Sequence, residues 1–203
     1  MYLNYLLAQK HLTQEDISSF KSDIKKEITD GLDLAFNEPT IIANKEQELK
    51  DVYHHYEYQE IAPNNQTKEL RLIDAISQGL KQSMERHDNT VILGQDIAEY
   101  GGVFKITDGF LEAFGKDRVR NTPICESAIV SATMGLSICG YKAIMEMQFS
   151  DFVTSGFNPI VNYLAKSHYR WAQKADVVIR MPCGAGVGAG PFHSQTNEAW
   201  FTH

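Results

Sequence analysis

Thr122-Pro123-Ile124-Cys125-Glu126-Ser127-Ala128-Ile129-Val130 sets one carboxylate between two different hydrophobic periods. Upstream, Arg118 to Thr122 reads as a short strand. Downstream, an apolar helical run opens at Ser127 and ends at Gly140. A helix entered directly from a strand is the unit of an α/β sheet, and such sheets bind ligands outside the carboxyl ends of their strands. Glu126 is therefore expected to face a pocket rather than to be held in core.

The same alternation extends on both sides of this stretch. A helix capped by Thr67 is expected to present Leu70, Ile73, Ile76, Leu80 and Met84, followed by a buried strand at Thr90-Val91-Ile92-Leu93. A Gly-rich turn, a short helix over Phe110 to Phe114 and the Arg118 strand come next. Beyond the Ser127 helix, a strand is predicted over Tyr141 to Met147, a long helix over Val153 to Gln173 and a strand over Asp176 to Arg180. Strands and helices at these spacings predict an α/β fold, a mostly parallel sheet with helices on both faces.

Residues 1–60 have a different character and read as a helical arm. Thr13 with Asp16 three residues on marks a helix start. Ile17, Phe20, Ile24, Ile28, Leu32 and Ala35 then recur at spacings of three and four, until Pro39 closes the run. A polar stretch around 44–48 and His54-His55-Tyr56 lead into a linker at 61–67, which contains Pro63-Asn64-Asn65-Gln66. The α/β domain is expected over 68–203.

The 203 residues, 43% of them hydrophobic, suffice for one substantial core. The net charge of −7 is concentrated in the arm, where twelve acidic residues face six basic ones; the remainder is nearly neutral and has no basic footprint for nucleic acid. Cys125, Cys139 and Cys183 form no CxxC pair, and three scattered thiols fit a reducing, cytoplasmic setting. No apolar run approaches the roughly 20 residues of a membrane span, and the start lacks the pattern of a secretory signal. His54, His55 and His168 have no acidic or thiol partners at ligand spacing, so no metal site is expected in this chain.

Two further words invite chemistry. Gly184-Ala185-Gly186-Val187-Gly188-Ala189 matches a dinucleotide fingerprint superficially, but Pro191, Phe192, His193 and Ser194 follow where that motif requires a helix. A loop at the site is the better reading. Ser194 beside His193 suggests a hydrolase, yet there is no Gly-x-Ser-x-Gly elbow and adjacent residues do not have triad geometry.

Taken in order, Gly94-Gln95-Asp96, Tyr100-Gly101-Gly102-Val103-Phe104-Lys105, Phe114-Gly115-Lys116-Asp117-Arg118-Val119, the Glu126 stretch and Phe192-His193-Ser194-Gln195 resemble the β subunit of the thiamine diphosphate-dependent 2-oxo acid dehydrogenases. The resemblance covers about Lys68 to His203 and implies a thiamine diphosphate pyrimidine-binding domain. It implies that Glu126 is catalytic and cofactor-binding, sharing a proton with the pyrimidine ring and so activating the thiazolium carbon for attack on a 2-oxo group. It implies that His193 faces substrate and serves acyl transfer to a lipoyl group, and that Gln148 and Phe152 line the cofactor. Branched-chain members often have Tyr where this chain has Phe152, which replaces a hydroxyl with an apolar wall. Glu146 to Phe149 and His168-Tyr169-Arg170 favour branched-chain 2-oxo acids over pyruvate.

Residues 1–60 resemble the helical tail of the family's α subunit, so the chain is expected to be a piece of an α–β fusion. The Gly-Asp-Gly…Asn element that holds magnesium and diphosphate in the α part is not in this sequence. The expected partners are therefore a diphosphate-binding α-type domain, which holds Mg2+, and a lipoyl-bearing acyltransferase component, in a homo- or hetero-oligomer. The competing functions are a transketolase-like or deoxyxylulose-phosphate synthase-like carboligase, and a non-catalytic assembly module.

Overall fold

The structure is a computed structural model that describes residues 1–60, 62–63 and 66–202. The chain divides into two compact units, Met1–Asn44 and Lys45–His203. In the first, α1 (Tyr2–Ala8) is followed by α2 (Gln14–Asn37). Thr13 caps α2 in a full capping box: its hydroxyl accepts from Asp16 N–H at 3.1 Å, and the Asp16 carboxylate accepts from Thr13 N–H at 2.8 Å. The Asp16 carboxyl is held below its usual range by these bonds to Thr13, the side-chain one first. Of the predicted apolar stripe Ile17 is buried, while Phe20, Ile24, Ile28 and Leu32 stay exposed.

The second unit begins earlier than the expected linker at 61–67. The polar stretch around 44–48 enters α3 (Lys45–Val52), and the Tyr169 hydroxyl donates to Glu48 at 2.9 Å. The His54 and His168 rings lie 5.2 Å apart. These contacts draw 45–60 towards the α/β part. Linker residues 61, 64 and 65 lie outside the described residues.

Next comes α4 (Leu72–Arg86), whose N-cap is Arg71 rather than Thr67. The Arg71–Asp74 ion pair at 2.7 Å closes that first turn, a role the sequence predicts for a hydroxyl. The remaining elements are β1 (Thr90–Gly94), α5 (Phe110–Phe114), β2 (Val119–Asn121), α6 (Glu126–Ile138), β3 (Lys142–Glu146), α7 (Val153–Pro159), α8 (Ser167–Trp171) and β4 (Val177–Arg180). The four strands form one sheet in the order β2-β1-β3-β4, with every pairing parallel.

Alternation along the strands sends side chains to two cores. Ile92, Val119 and Ile144 pack with Met84, Ile97 and Phe110 on the α4/α5 side. Leu93 and Met145 pack with Ile129, Val130, Met147 and Val153 on the α6/α7 side. Both faces are thus covered, as parallel sheets require. Arg118 ties the first layer together, donating to the carbonyls of Met84, His87 and Thr90 at 2.7, 2.8 and 3.0 Å.

The long helix expected over Val153 to Gln173 is broken. Pro159 ends α7, a π-type turn spans Ile160–Leu164, and Ala172 adopts φ 52° after α8. Proline has no N–H for the carbonyl four residues back, and its ring crowds that carbonyl, so the helical period is interrupted there.

The order 2-1-3 places a topological switch between β1 and β3, where the connections leave in opposite directions. At that point Gly94 is opposite Glu146. A Cβ on Gly94 would lie 2.6 Å from the Glu146 carbonyl oxygen, a backbone atom that cannot swing away. Gly94→Ala is expected to destabilise the domain by about 2–3 kcal/mol, as overpacking does. Chemical denaturation of the two proteins checks it.

Candidate functional site

At the carboxyl end of β1 the chain turns through Gln95 and Asp96. Thr122 N–H donates to the Gly94 carbonyl at 2.9 Å, so the exit of β2 is fastened to this corner. Asp96 adopts φ 57°, and its carbonyl accepts from Gly102 N–H at 2.8 Å. Gly101 and Gly102 are both left-handed, at φ 77° and 78°, and a Cβ on Gly101 would meet the Asp108 backbone at 2.8 Å. The Tyr100-Gly101-Gly102 word is thus written by the turn itself.

Glu126 is the first residue of α6, one position earlier than expected, after Cys125 at φ −163° and ψ 63°. A carboxylate in the first turn is favoured by the helix dipole. It is half-buried and lines an open cleft of about 420 Å³ with Cys125, Ser127, Ala128, Ser131 and Ser155. The Gln95 amide, buried at the end of β1, donates to Glu126 Oε1 at 3.2 Å. Glu126 thus stands at the junction between β2 and α6, on the wall of a cleft.

Gln148 follows β3, and its amide donates to Asp96 Oδ2 at 2.9 Å, spanning the switch point. Next to it, Phe149 meets Phe104, Phe152 and His193 edge-on, with ring centroids 5.9, 5.7 and 4.9 Å away. Phe152 and His193 are themselves 5.3 Å apart. Phe152 and His193 are therefore in one aromatic group, and Gln148 is adjacent to it in sequence. Glu126 belongs to a separate contact set, reached through Gln95 and Asp96.

His193 arrives on the segment after β4. Both ends of that segment are tied to Ser150 and Asp151: Ser150 N–H donates to the Pro182 carbonyl at 2.8 Å, and Asp151 Oδ1 accepts from Gln195 N–H at 3.1 Å. The Asn197 amide donates to the Ser150 carbonyl at 3.0 Å. Buried Asp151 Oδ2 has no hydrogen-bond partner among the described residues. Ser194 is occupied structurally, its hydroxyl accepting from Ala189 N–H at 3.2 Å, which removes it further from any hydrolase role.

Glu146 is buried and forms an ion pair with Arg180, whose Nε donates to Oε2 at 3.1 Å. The residue that opens the Glu146–Phe149 word thus joins β3 to β4. Gln95, Asp96 and Phe149 stand inside the sequence motifs without a role that the sequence alone gives them. Their place beside strand ends is the only signal that points to them; Asp151 and the Arg180 partnership left none.

With this geometry in place, residues 68–203 match the family model described as the transketolase pyrimidine-binding domain. The chain belongs to this family. Family membership carries the use of thiamine diphosphate, the cofactor whose pyrimidine end such domains hold. The chain is 42% identical over 138 residues to the 2-oxoisovalerate dehydrogenase subunit beta of Bacillus subtilis (strain 168), covering 66% of this chain and 42% of that one. It is 38% identical over 143 residues to the pyruvate dehydrogenase E1 component subunit beta of Leifsonia xyli subsp. xyli, covering 70% and 42%. The mitochondrial 2-oxoisovalerate dehydrogenase subunit beta 2 of Arabidopsis thaliana is 41% identical over 139 residues, covering 67% and 38%. The chain spans about four tenths of the length of these relatives, 42% for the first two. No described helix is long and apolar enough to cross a membrane.

The Cys183 thiol at the base of the His193 segment donates to Glu198 at 3.2 Å. Its pKa is pushed up by that hydrogen bond first, then by burial and by the charges of Glu198 and Asp151. Because the thiolate is the reactive form, Glu198→Gln is expected to lower that pKa and accelerate alkylation of Cys183 several-fold near pH 8. Cys139 in the same sample should react at an unchanged rate, and mass spectrometry of an iodoacetamide time course reads both.

Proposed function

We propose that this chain supplies the pyrimidine-side half of the active site of a thiamine diphosphate-dependent 2-oxo acid dehydrogenase, and that Glu126 is its essential carboxylate. The observation that carries this reading is Glu126 itself: a carboxylate at the start of α6, held by Gln95 on the wall of a cleft, in a pyrimidine-binding domain.

The residues fit the group. A pyrimidine ring needs one carboxyl to share a proton with a ring nitrogen and an apolar surface beside it. Glu126 supplies the first, and half-buried Phe152, backed by Phe149, supplies the second. When bound, thiamine diphosphate supplies a nucleophilic carbon and a sink for the electron pair released with CO2. Everything else falls to the chain. Glu126 holds a proton against the ring nitrogen, Gln148 fixes the corner beside it through Asp96, and Phe152 excludes water. His193, set against two phenyl rings, presents an imidazole N–H to the oxygen of the substrate and serves acyl transfer to a lipoyl group. The diphosphate and Mg2+ fall to a separate α-type domain, and the acyl acceptor to a lipoyl-bearing component.

Branched-chain 2-oxo acids are favoured as substrates over pyruvate. Phe152 and Phe149 give an apolar aromatic wall suited to an aliphatic side chain, and 2-oxoisovalerate dehydrogenase subunits are prominent among the relatives.

In the complete enzyme, Glu126→Gln is expected to lower the decarboxylation rate at least about a hundredfold, close to 3 kcal/mol of barrier, with the fold intact by circular dichroism. A variant within about threefold of the parent, less than 1 kcal/mol, sinks the assignment. His193→Ala separates chemistry from scaffolding. It should depress reductive acylation of a lipoyl acceptor more than it weakens cofactor binding. Equal losses in both, with new proteolytic cleavage in 184–190, would make His193 a structural residue.

A further inference from the structure

Beyond the assignment of Glu126, and resting on it, we infer that Gln95 is the positioning residue of that carboxylate. Its amide fixes Oε1 and thereby reserves Oε2 for the ligand. Gln95 is only 6% exposed and follows β1 directly, at a corner held from two sides. On one side Thr122 N–H holds the Gly94 carbonyl at 2.9 Å; on the other, the Gln148 amide holds the Asp96 carboxylate at 2.9 Å. Glu126, by contrast, starts a helix whose N-cap, Cys125, makes no side-chain capping bond. The carboxylate therefore stands on an uncapped helix start at the edge of an open cleft, and its hydrogen bond from Gln95 ties it to the carboxyl end of β1.

The chemistry favours an amide at this place. A carboxylate whose task is to share a proton needs one oxygen fixed by a donor that neither titrates nor carries charge. Lysine or arginine would hold Glu126 ionised, because a nearby cation favours the charged form. A second carboxylate would compete for the same proton, and the two would titrate as a coupled pair. Glutamine supplies an N–H donor with neither consequence. Its own proton does not move, so Gln95 acts through Glu126 and not on substrate.

Three variants test this. Gln95→Met keeps the length of the side chain and loses the donor. In the complete enzyme it should lower kcat about tenfold while KM for the 2-oxo acid changes less than about twofold, the signature of an interaction needed for chemistry rather than for substrate binding. Gln95→Glu provides a readout free of catalysis. In the unloaded chain, 13C spectra of the side-chain carboxyls should show residues 95 and 126 titrating as a coupled pair, with one step above the ordinary carboxylate range. Glu126→Gln serves as the control for the functional reading.

Independent, ordinary titration of the two carboxyls in Gln95→Glu would show that these side chains do not meet, and would overturn the proposal whatever the enzyme does. Coupled titration with parental kcat in Gln95→Met, in an enzyme that Glu126→Gln inactivates, would overturn the positioning role. Should Glu126→Gln itself stay active, the functional reading falls, while coupled titration would still uphold the hold of Gln95 on Glu126.

Discussion

The close approach of β1 and β3 at Gly94 and Glu146 governs the rest of the site. Gly94, Glu146 and Arg180 form one row across three adjacent strands. Glu146 is buried, and its charge is tolerable because Arg180 lies beside it in register on β4. Breaking such a pair leaves an unpaired buried charge, at a cost of about 3–5 kcal/mol. The other Glu146 oxygen lies against Gly102, where a Cβ would come within 3.1 Å. Loop, central strand and edge strand therefore converge on one carboxylate. Because this row is fixed, the residues that follow the strands emerge at a common edge: Gln95 and Asp96 from β1, Gln148 and Phe149 from β3. The pairings Gln95–Glu126 and Asp96–Gln148 are consequences of that register.

Glu146 and Glu126 show how burial divides the labour between two carboxylates of one domain. Glu146 has one oxygen held by a guanidinium and the other against Gly102, which suits it to holding strands together. Glu126 has a neutral amide partner and a cleft beside it, which leaves it available to a ligand. The environment of each, rather than its residue type, decides the role.

Much of this was legible in the sequence where local period and tertiary environment agree. Thr90 to Leu93, all but the last residue of β1, is an uninterrupted β-branched and aliphatic run buried on both faces, and it was readable as such. Glu126 was readable because a strand and a helix with different periods meet there. The helix over Val153 to Gln173 was not, since its apolar residues keep a helical spacing on both sides of Pro159 and so mask the break that the proline marks. Likewise α3 is mostly polar, with only Leu49 and Val52 apolar, and its place in the second unit is marked by a Tyr169–Glu48 bond between residues 121 apart. No window on the sequence contains both partners. The same holds for Glu146–Arg180 and Gln95–Glu126: strand register, not composition, selects each pair.

The segment carrying His193 follows the same logic in reverse. Its two ends are fastened to Ser150 and Asp151, so the intervening loop is closed at its base like a drawn purse. Gly184, Gly188 and Gly190 adopt φ values of 124°, 66° and 76°, conformations that side-chain-bearing residues rarely sustain. The path of the loop is thus set by glycine backbone and by its anchors rather than by burial, for residues 185–192 are exposed. His193 lies two residues from the Gln195 anchor, and Phe149 and Phe152 meet its ring edge-on. An imidazole placed there is fixed by the same β3 exit that carries Gln148, whatever shape the exposed glycine turn assumes. The resemblance to a dinucleotide loop therefore comes from glycines needed for a different reason: to return the chain to Asp151 within the few residues available.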